Sequence, residues 1–445
     1  MRLDRWRYRG LRCVYVFVFW VRRRFTQAGR LALTGLVLSA ALGLDTDQNV
    51  AYQAFTFLLA LLALAMLLSL FFREKFRITR NLPRFGTAGK ALPYEVTIGN
   101  PGDSAQRGLS FMEAAAQALP SFEEFYRTPQ PPKEEGTPLG RLTGYDRWRR
   151  LLGRTRIVLD PQRTLPDVPP RGEAVISLEL MPRRRGRLAL AGAMIARPDP
   201  LGLCKGLFRT SDEQSVLILP KRYSVPDVAL SGRRRYQSGG VSLSSSVGDS
   251  QEFMSLRDYR AGDPLRRVYW KGLAKTGKLI TKEYQDEYFV RHALALDTFT
   301  GGGRGAVFEE AVSVAASFAC SVLTQESLLD LLFVGNESYC VTAGRGLGGA
   351  DKLLEVLACV EKCEDKPFQE LDHGVAKRHA SLSGCICVLL DFDEPRRVFI
   401  RRLRSLDIPV LAVVVSAPGA PPIEEAGVYR LEVGKIAEGL AGIHA

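Results

Sequence analysis

The sequence predicts a multidomain chain: an N-terminal transmembrane helical hairpin, a small all-β domain, and an α/β domain built on a mostly parallel sheet. Three observations predict it. Residues 51–72 form an uncharged apolar run of 22 residues, long enough to cross a bilayer as a helix. Residues 85–223 carry short alternating stretches separated by Gly/Pro turns, the mark of a β-sandwich. From residue 291 strand and helix patterns alternate, which gives parallel strands covered on both faces. A chain of 445 residues, 46% apolar and 24% charged, accommodates two or three globular domains.

The formal net charge of +13 raises a nucleic-acid reading, but its location argues against one. Residues 1–84 hold 14 of the 61 basic residues and 4 of the 48 acidic ones, which leaves 47 basic against 44 acidic elsewhere. The excess therefore flanks the apolar segments, where positive charge sets membrane topology. Residues 13–21 (CVYVFVFWV) are too short to span and suit an interfacial position, with Tyr15 and Trp20 at headgroup level. Residues 1–84 form the basic N-terminus and two transmembrane helices, at about 31–48 and 51–72. The first helix is apolar over 31–44 only, so its flanks must complete it. Asp45 and Asp47 sit in the outer turn, while Arg73, Lys75, Arg77, Arg80 and Arg84 follow the second helix. This pattern places both ends, and the soluble body, on the cytoplasmic side of the membrane. A signal peptide would need an n-region of about 30 residues, longer than the usual form. Eight cysteines, mostly within apolar runs, fit small buried hydrophobes in a reducing compartment.

Residues 85–225 read as an Ig-like sandwich, with strands at 91–98, 174–180, 188–195 and 216–219. A Pro- and Lys/Glu-rich stretch at 129–140 reads as a flexible insertion, and Arg183–Arg187 as a solvated turn. Residues 291–445 form the α/β domain. Strands are expected at 292–298, 327–334, 338–342, 384–390, 409–415 and 428–433, and helices at 306–324, 350–360, 395–405 and 435–443.

Between them, residues 226–290 contain the densest chemistry of the chain. Over 248–283, Ser250, Glu252, Arg257, Asp263 and Arg266 crowd around Phe253, Tyr259 and Trp270, with Gly262, Lys271 and Glu283 completing the pattern. That pattern, S-x-E-F-x-x-L-R-x-Y-x-x-G-D-x-x-R-x-x-x-W-K closed by a Leu and a Glu, resembles the bacterial "domain of unknown function 58" family (DUF 58). The turn Asp199-Pro200-Leu201-Gly202-Leu203 resembles one that precedes the signature in that family. The strand order, with Asp297 ending the first strand, resembles a von Willebrand factor A-like domain. The resemblance implies a membrane-anchored, non-catalytic adaptor. It would work with a MoxR-type AAA+ ATPase, and with a transglutaminase-like membrane protein, in assembling or remodelling membrane or envelope proteins.

Two readings of the signature residues stand side by side. Trp, Tyr and Arg dominate interface energetics, so Arg257, Asp263, Arg266 and Trp270 suit a partner surface. The same residues suit an internal polar network locking the segment in place. Two other functions compete. A-type domains bind Mg²⁺ through D-x-S-x-S, and a metal-dependent adhesion or protein-binding module would need that site. Here the run is Asp297-Thr298-Phe299-Thr300-Gly301, so Asp297 and the distant Asp391 read as remnants and no metal is expected. An enzyme would need signature carboxylates such as Glu252 and Asp263, but neighbouring arginines favour their ionised forms. No H-E-x-x-H or G-x-S-x-G occurs.

The remaining motifs read as structure. Residues 272–279 (GLAKTGKL) match half a P-loop but lack its Ser/Thr, and a strand rather than a helix is expected next. Residues 344–349 (GRGLGG) match a lone G-x-G-x-x-G, read as a turn into a helix. Cys359 and Cys363 on one helix face, and Cys385 and Cys387 on one strand face, lack zinc-knuckle spacing. No cofactor and no nucleic acid is expected.

Overall fold

The computed structural model describes residues 2–42, 50–72, 75–115, 119–128, 137–155, 158–159, 162–226, 253–261, 263, 265, 268–284, 290–300, 305–322, 327–344 and 349–443. It is a multidomain α/β chain of two compact units, Met1–Leu219 and Pro220–Ala445.

The first unit opens with helices α1 (Arg2–Arg24), α2 (Gln27–Leu42) and α3 (Val50–Ser69). α1 extends the predicted apolar stretch into one helix of 23 residues. α2 and α3 pack along one another as the expected hairpin. α3 is long and apolar enough to cross a membrane and is mostly exposed. α2 begins at Gln27, before the predicted 31, and has 16 residues, about 24 Å; positions 43–48 of the predicted first span lie outside the described residues. Gly305–Val322 passes the same test of length and composition, but most of it is buried inside its own unit.

Two sheets enclose one core. Strands β1 (Arg77–Asn81), β2 (Phe85–Thr87), β3 (Leu92–Gly99) and β4 (Ser110–Ala115) precede three short helices, α4 (Phe122–Arg127), α5 (Pro138–Thr143) and α6 (Tyr145–Thr155). Then come β5 (Val158–Leu159), β6 (Arg163–Thr164), β7 (Glu173–Met181), β8 (Gly186–Pro198), β9 (Lys205–Arg209) and β10 (Gln214–Leu219). One sheet runs β1-β3-β7-β5; the other runs β2-β10-β8-β4-β6, with β9 also on β8. β7 alternates strictly between exposed and buried positions, so Ile176, Leu178 and Leu180 meet Tyr94, Val96 and Ile98 of β3 and Leu190 and Ile195 of β8 in the shared core.

The structure corrects three expectations here. β1 lies inside the stretch 1–84 assigned to the membrane anchor, and it pairs with β3 along its whole length. Arg80 is therefore no topology signal: its side chain is fully buried, 2.8 Å from Glu113. Glu113 also accepts from Tyr94 Oη at 3.0 Å, and burial raises its pKa while Arg80 pulls the other way. The insertion, read as flexible over 129–140, turns helical at Thr137, whose side chain accepts from Gly140 N, with Pro138 at the first turn; 129–136 lie outside the described residues. Ser121 and Glu124 form a capping box on α4, and Phe125, Trp148 and Leu151 pack with Tyr8 of α1.

The hairpin is seated on the Asp199 turn. Asp199 Oδ1 accepts from the amides of Leu203 at 2.8 Å and Cys204 at 2.7 Å. That shapes the loop so that Thr26 N donates to Leu203 O at 3.0 Å and Thr26 Oγ1 to Gly202 O at 2.5 Å. Phe25 pairs with Cys204 as an isolated bridge. A Cβ on Gly29 would lie 1.9 Å from Leu203 O, and one on Gly206 would lie 2.4 Å from Phe72 Cβ. Glycine is thus required where α2 starts and at Gly206, where the strand that follows the Asp199 turn passes Phe72 just beyond α3.

In the second unit, β11 (Phe253–Asp258), α7 (Trp270–Thr276) and β12 (Ile280–Tyr284) form a small module, with β11 and β12 antiparallel. The α/β body follows: β13 (Val290–Leu296), α8 (Gly305–Val322), β14 (Ser327–Val334), β15 (Ser338–Ala343), α9 (Ala350–Cys359), α10 (Gln369–Ala376), β16 (Gly384–Leu389), α11 (Glu394–Ser405), β17 (Val410–Ser416), β18 (Val428–Glu432) and α12 (Ile436–Ala441). Its sheet runs β15-β14-β13-β16-β17-β18. Only the β14–β15 pair is antiparallel. β14 and β16 are buried at every position, as central strands covered on both faces must be. Each expected strand and helix of this body is present within a few residues, and α10 is additional.

Two outcomes follow from the buried contacts. Arg80→Ala leaves Glu113 buried without its cation, and urea unfolding is expected to lose about 3–5 kcal/mol, whereas Arg80→Met with Glu113→Leu recovers most of it. Gly29→Ala forces α2 off the Leu203 carbonyl, so limited proteolysis at the α1–α2 junction should accelerate while the sandwich keeps its far-ultraviolet spectrum.

Candidate functional site

The signature module is held by one bidentate ion pair. β11 carries Arg257, and the chain returns through Asp263 toward α7. Arg257 Nη1 and Nη2 donate to Asp263 Oδ2 and Oδ1 at 2.8 and 2.9 Å. Arg260 N adds a bond to Oδ2 at 2.9 Å, and Thr281 Oγ1 of β12 reaches it at 3.5 Å. The arginine and aspartate side chains are 33% and 16% exposed, so both turn into the module. Tyr259 N donates to Leu279 O and Tyr269 N to Ile280 O, at 3.0 and 2.8 Å. Lys282 Nζ lies 5.4 Å from the Tyr269 ring. A carboxylate with these donors favours its charged form: the hydrogen bond from Arg257, then the Arg260 amide, hold Asp263 down at about 2.

Other signature positions divide between surface and undescribed segments. Trp270 opens α7 and is 58% exposed, and Lys271 beside it is exposed. Leu256, Leu265 and Leu279 are exposed too. Phe253 and Glu283 are on the paired strands, Phe253 opposite Tyr284 and Glu283 opposite Ser255. Ser250, Glu252, Gly262 and Arg266 lie outside the described residues. Among those described, Arg257 and Asp263 belong to the internal network, whereas Trp270 faces outward.

The Asp297 position is closed by a residue that the sequence reading passed over. Asp297 is fully buried at the end of β13. Its Oδ2 accepts from Arg396 Nε at 2.6 Å and Leu390 N at 3.0 Å, and its Oδ1 accepts from Phe299 N at 3.0 Å. Arg396 also donates to Asp393 at 2.7 Å and stacks 4.8 Å from the Phe368 ring centroid. Burial pushes the Asp297 carboxyl up, against the pull of Arg396 and the two amides. Thr298 Oγ1 is turned to Val334 O at 2.5 Å, and Asp391 Oδ1 accepts from Phe392 N at 2.8 Å. These donors do not fit a divalent cation: a guanidinium already satisfies the carboxylate that a hard ion would need. Arg396 follows Asp393, the N-cap of α11, and that local cap was the available signal.

A cavity of ≈ 780 Å³ opens beside the carboxyl ends of β16 and β17, lined in part by Asp391, Glu394, Arg401, Ser416 and Arg430. This is where open α/β sheets place ligands. Two of its arginines are already bonded: Arg401 pairs with Glu394, and Arg430 donates to Ser416 Oγ at 2.7 Å and Pro421 O at 3.0 Å. A second buried pair, Arg291 with Asp330, is bidentate at 2.8 and 3.0 Å, with Thr342 also on the carboxylate. Sequence reading missed it because Asp330 is the single acid in an apolar strand.

The minor motifs resolve as structure. Gly272 lies inside α7 and β12 follows the turn at Gly277, so no helix N-terminus faces a phosphate there. Gly349 is the N-cap of α9, while 345–348 lie outside the described residues. Cys363 is not on α9, which ends at Cys359; it bridges Phe299 and packs in the core with Cys385 and Cys387. Among the described residues no group of three or more His, Cys, Asp or Glu could hold a metal ion.

No family model matches the chain. It is similar to "Uncharacterized protein YeaD" of Bacillus subtilis (strain 168), at 31% identity over 166 residues, 36% of this chain and 39% of that protein. The chain thus spans well under half of the relative's length. Among solved structures, a CARDB domain from Pyrococcus furiosus is 14% identical over 33% of this chain and 89% of its own, with a TM-score of 0.19. A cohesin module from Clostridium perfringens is 11% identical over 33% and 97%, with a TM-score of 0.15. Likenesses this low carry no argument.

The ion pair gives a titration test. A depressed carboxyl pKa contributes stability that is fully present above the unfolded value of about 3.9 and is lost as pH falls through the folded value. Carboxyl-carbon NMR should place the Asp263 midpoint at about 2, and Arg257→Ala should move it up toward about 3.9. The β11–β12 pairing should loosen over the same acid window.

Proposed function

We propose that the chain is a membrane-anchored, non-catalytic docking protein of a bacterial membrane. The observation that carries this reading is the division of labour in the signature module. Arg257 and Asp263 satisfy each other inside, while Trp270 and Leu265 stand 58% and 64% exposed. An exposed Trp on a rigid, internally bonded platform is the type of anchor that dominates protein interfaces. A catalytic acid would need its pKa raised toward working pH; Asp263 is driven the other way.

The finer identities belong to the same proposal. The segment 226–290 is the signature of the DUF 58 family, the sandwich is Ig-like, and the body from 291 is of von Willebrand factor A type with an arginine in place of the ion. The partner is a MoxR-type AAA+ ATPase, with a transglutaminase-like membrane protein as a further associate, and the soluble body lies on the cytoplasmic face. The long apolar α3, the adjoining α2 and the arginines around them support anchorage.

Trp270→Ala is expected to reduce capture of the purified ATPase at least tenfold with an unchanged melting temperature. Asp263→Ala should lower the melting temperature and capture together. Full capture by Trp270→Ala would remove the interface.

A further inference from the structure

We infer that α1 is an in-plane membrane helix whose outer face binds the surface of an anionic phospholipid bilayer. The inference rests on the membrane anchorage proposed above and adds a second, separate contact to it.

α1 has two apolar faces. The inner one holds Tyr8, Leu11 and Tyr15 against the α4–α6 insertion, and Tyr8 Oη donates to Pro120 O at 2.9 Å. This fixes the helix on the body along its length. The outer face carries Trp6, Gly10, Cys13, Phe17 and Trp20, spaced four, three, four and three residues apart, which is one continuous helical stripe. Trp6 is 78% exposed and Phe17 60%, so the body does not cover it. A helix bearing this much apolar area on the side away from its own fold requires a second apolar phase.

Charge and continuity select the occupant. Arg5, Arg9 and Arg12 are exposed along the same helix, and Arg22, Arg23 and Arg24 close it. Arginines flanking an apolar face, with Trp near each end, suit anionic headgroups above an acyl boundary. The C-terminal end of α1 runs straight into the seat of the hairpin. There Val21 and Phe25 pack with Leu33 of α2 and Leu62 and Ala65 of α3. The Trp20 end of the stripe therefore lies at the end of α2 and α3 that is held on the body. If those helices cross the bilayer, that end emerges at its surface, where an in-plane helix belongs. A second copy of α1 is disfavoured as the cover, because a self-paired stripe would bring the arginine flanks of two helices together.

The test uses the full chain in bilayer nanodiscs with a nitroxide on Cys13, the exposed Cys359 and half-buried Cys320 and Cys340 being replaced by Ser. Power saturation against oxygen and a nickel chelate reads the depth of the label. In phosphatidylcholine containing phosphatidylglycerol, Cys13 should sit at headgroup-to-acyl depth. Pure phosphatidylcholine should leave it shallower, and R5Q/R9Q/R12Q should lose that difference while keeping the melting temperature. A label at Leu64→Cys, with Cys13→Ser, reads the α3 span independently. A buried Leu64 label with an aqueous Cys13 label in both lipids overturns the α1 inference and leaves the anchor standing. An aqueous Leu64 label with an interfacial Cys13 label removes the span and keeps α1. Equal depth of Cys13 in both lipids overturns recognition of anionic lipid. Spin–spin broadening between Cys13 labels in discs holding two copies would make the stripe a seam between chains and overturn the proposal.

Discussion

A carboxylate taken out of water must be paired, and arginine meets that constraint in each part of this chain. Glu113 meets Arg80 across the sandwich, Asp330 meets Arg291 in the parallel sheet, Asp297 meets Arg396 at the end of its first strand, and Asp263 meets Arg257 in the signature module. For the buried carboxylates Glu113, Asp330 and Asp297, removing the arginine strands a charge in low dielectric, which costs far more than the pair itself contributes; the Arg257–Asp263 pair is partly exposed. Three of the pairs join segments distant in sequence, so there the charge requirement fixes register as well as stability, whereas Arg257 and Asp263 lie six residues apart and close a local turn. In the α/β body the same rule decides chemistry, because the guanidinium of Arg396 takes the carboxylate that a metal would use.

The N-terminal helices depend on a smaller device of the same kind. Asp199, 6% exposed, gathers the amides of its own turn, and the shaped turn presents carbonyls to Thr26. Gly29 lets α2 approach that turn. The junction of α1 and α2 is therefore a seated joint on the sandwich rather than a loose leash. With α1 pinned by its inner aromatic face, most of the exposed large apolar side chains of the first unit lie on its helices.

Legibility followed periodicity. The strands β13, β14 and β16 are mostly apolar, interrupted by Arg291 and His292 in β13 and by Asp330 in β14, and the helices between them repeat at the helical period, so tertiary packing had little to override. β1 was lost because Arg-Ile-Thr-Arg-Asn reads as a basic flank; only the presence of Glu113 opposite makes Arg80 a core residue. The α4–α6 insertion was lost because arginines surround the short apolar stripe of 145–155, Trp148, Leu151 and Leu152, whose burial depends on Tyr8 of α1 and Phe125 of α4. At the candidate site, the crowd of arginines, acids and aromatics was visible, but not which of them faced inward. Burial divided Arg257 and Asp263 from Trp270, and burial is not a property of a residue's neighbours in sequence.

The sequence by itself determined where apolar runs, turns and alternating patterns fall, and hence long apolar helices followed by a β body and an α/β body. Those are local quantities, set by side-chain period and by Gly, Pro and cap residues. The tertiary structure alone decided which charges meet. An arginine on an amphipathic helix looks the same whether it ends in solvent, as most do, or against Asp297. Coulombic pairing depends on distance through space, and no local pattern encodes that distance.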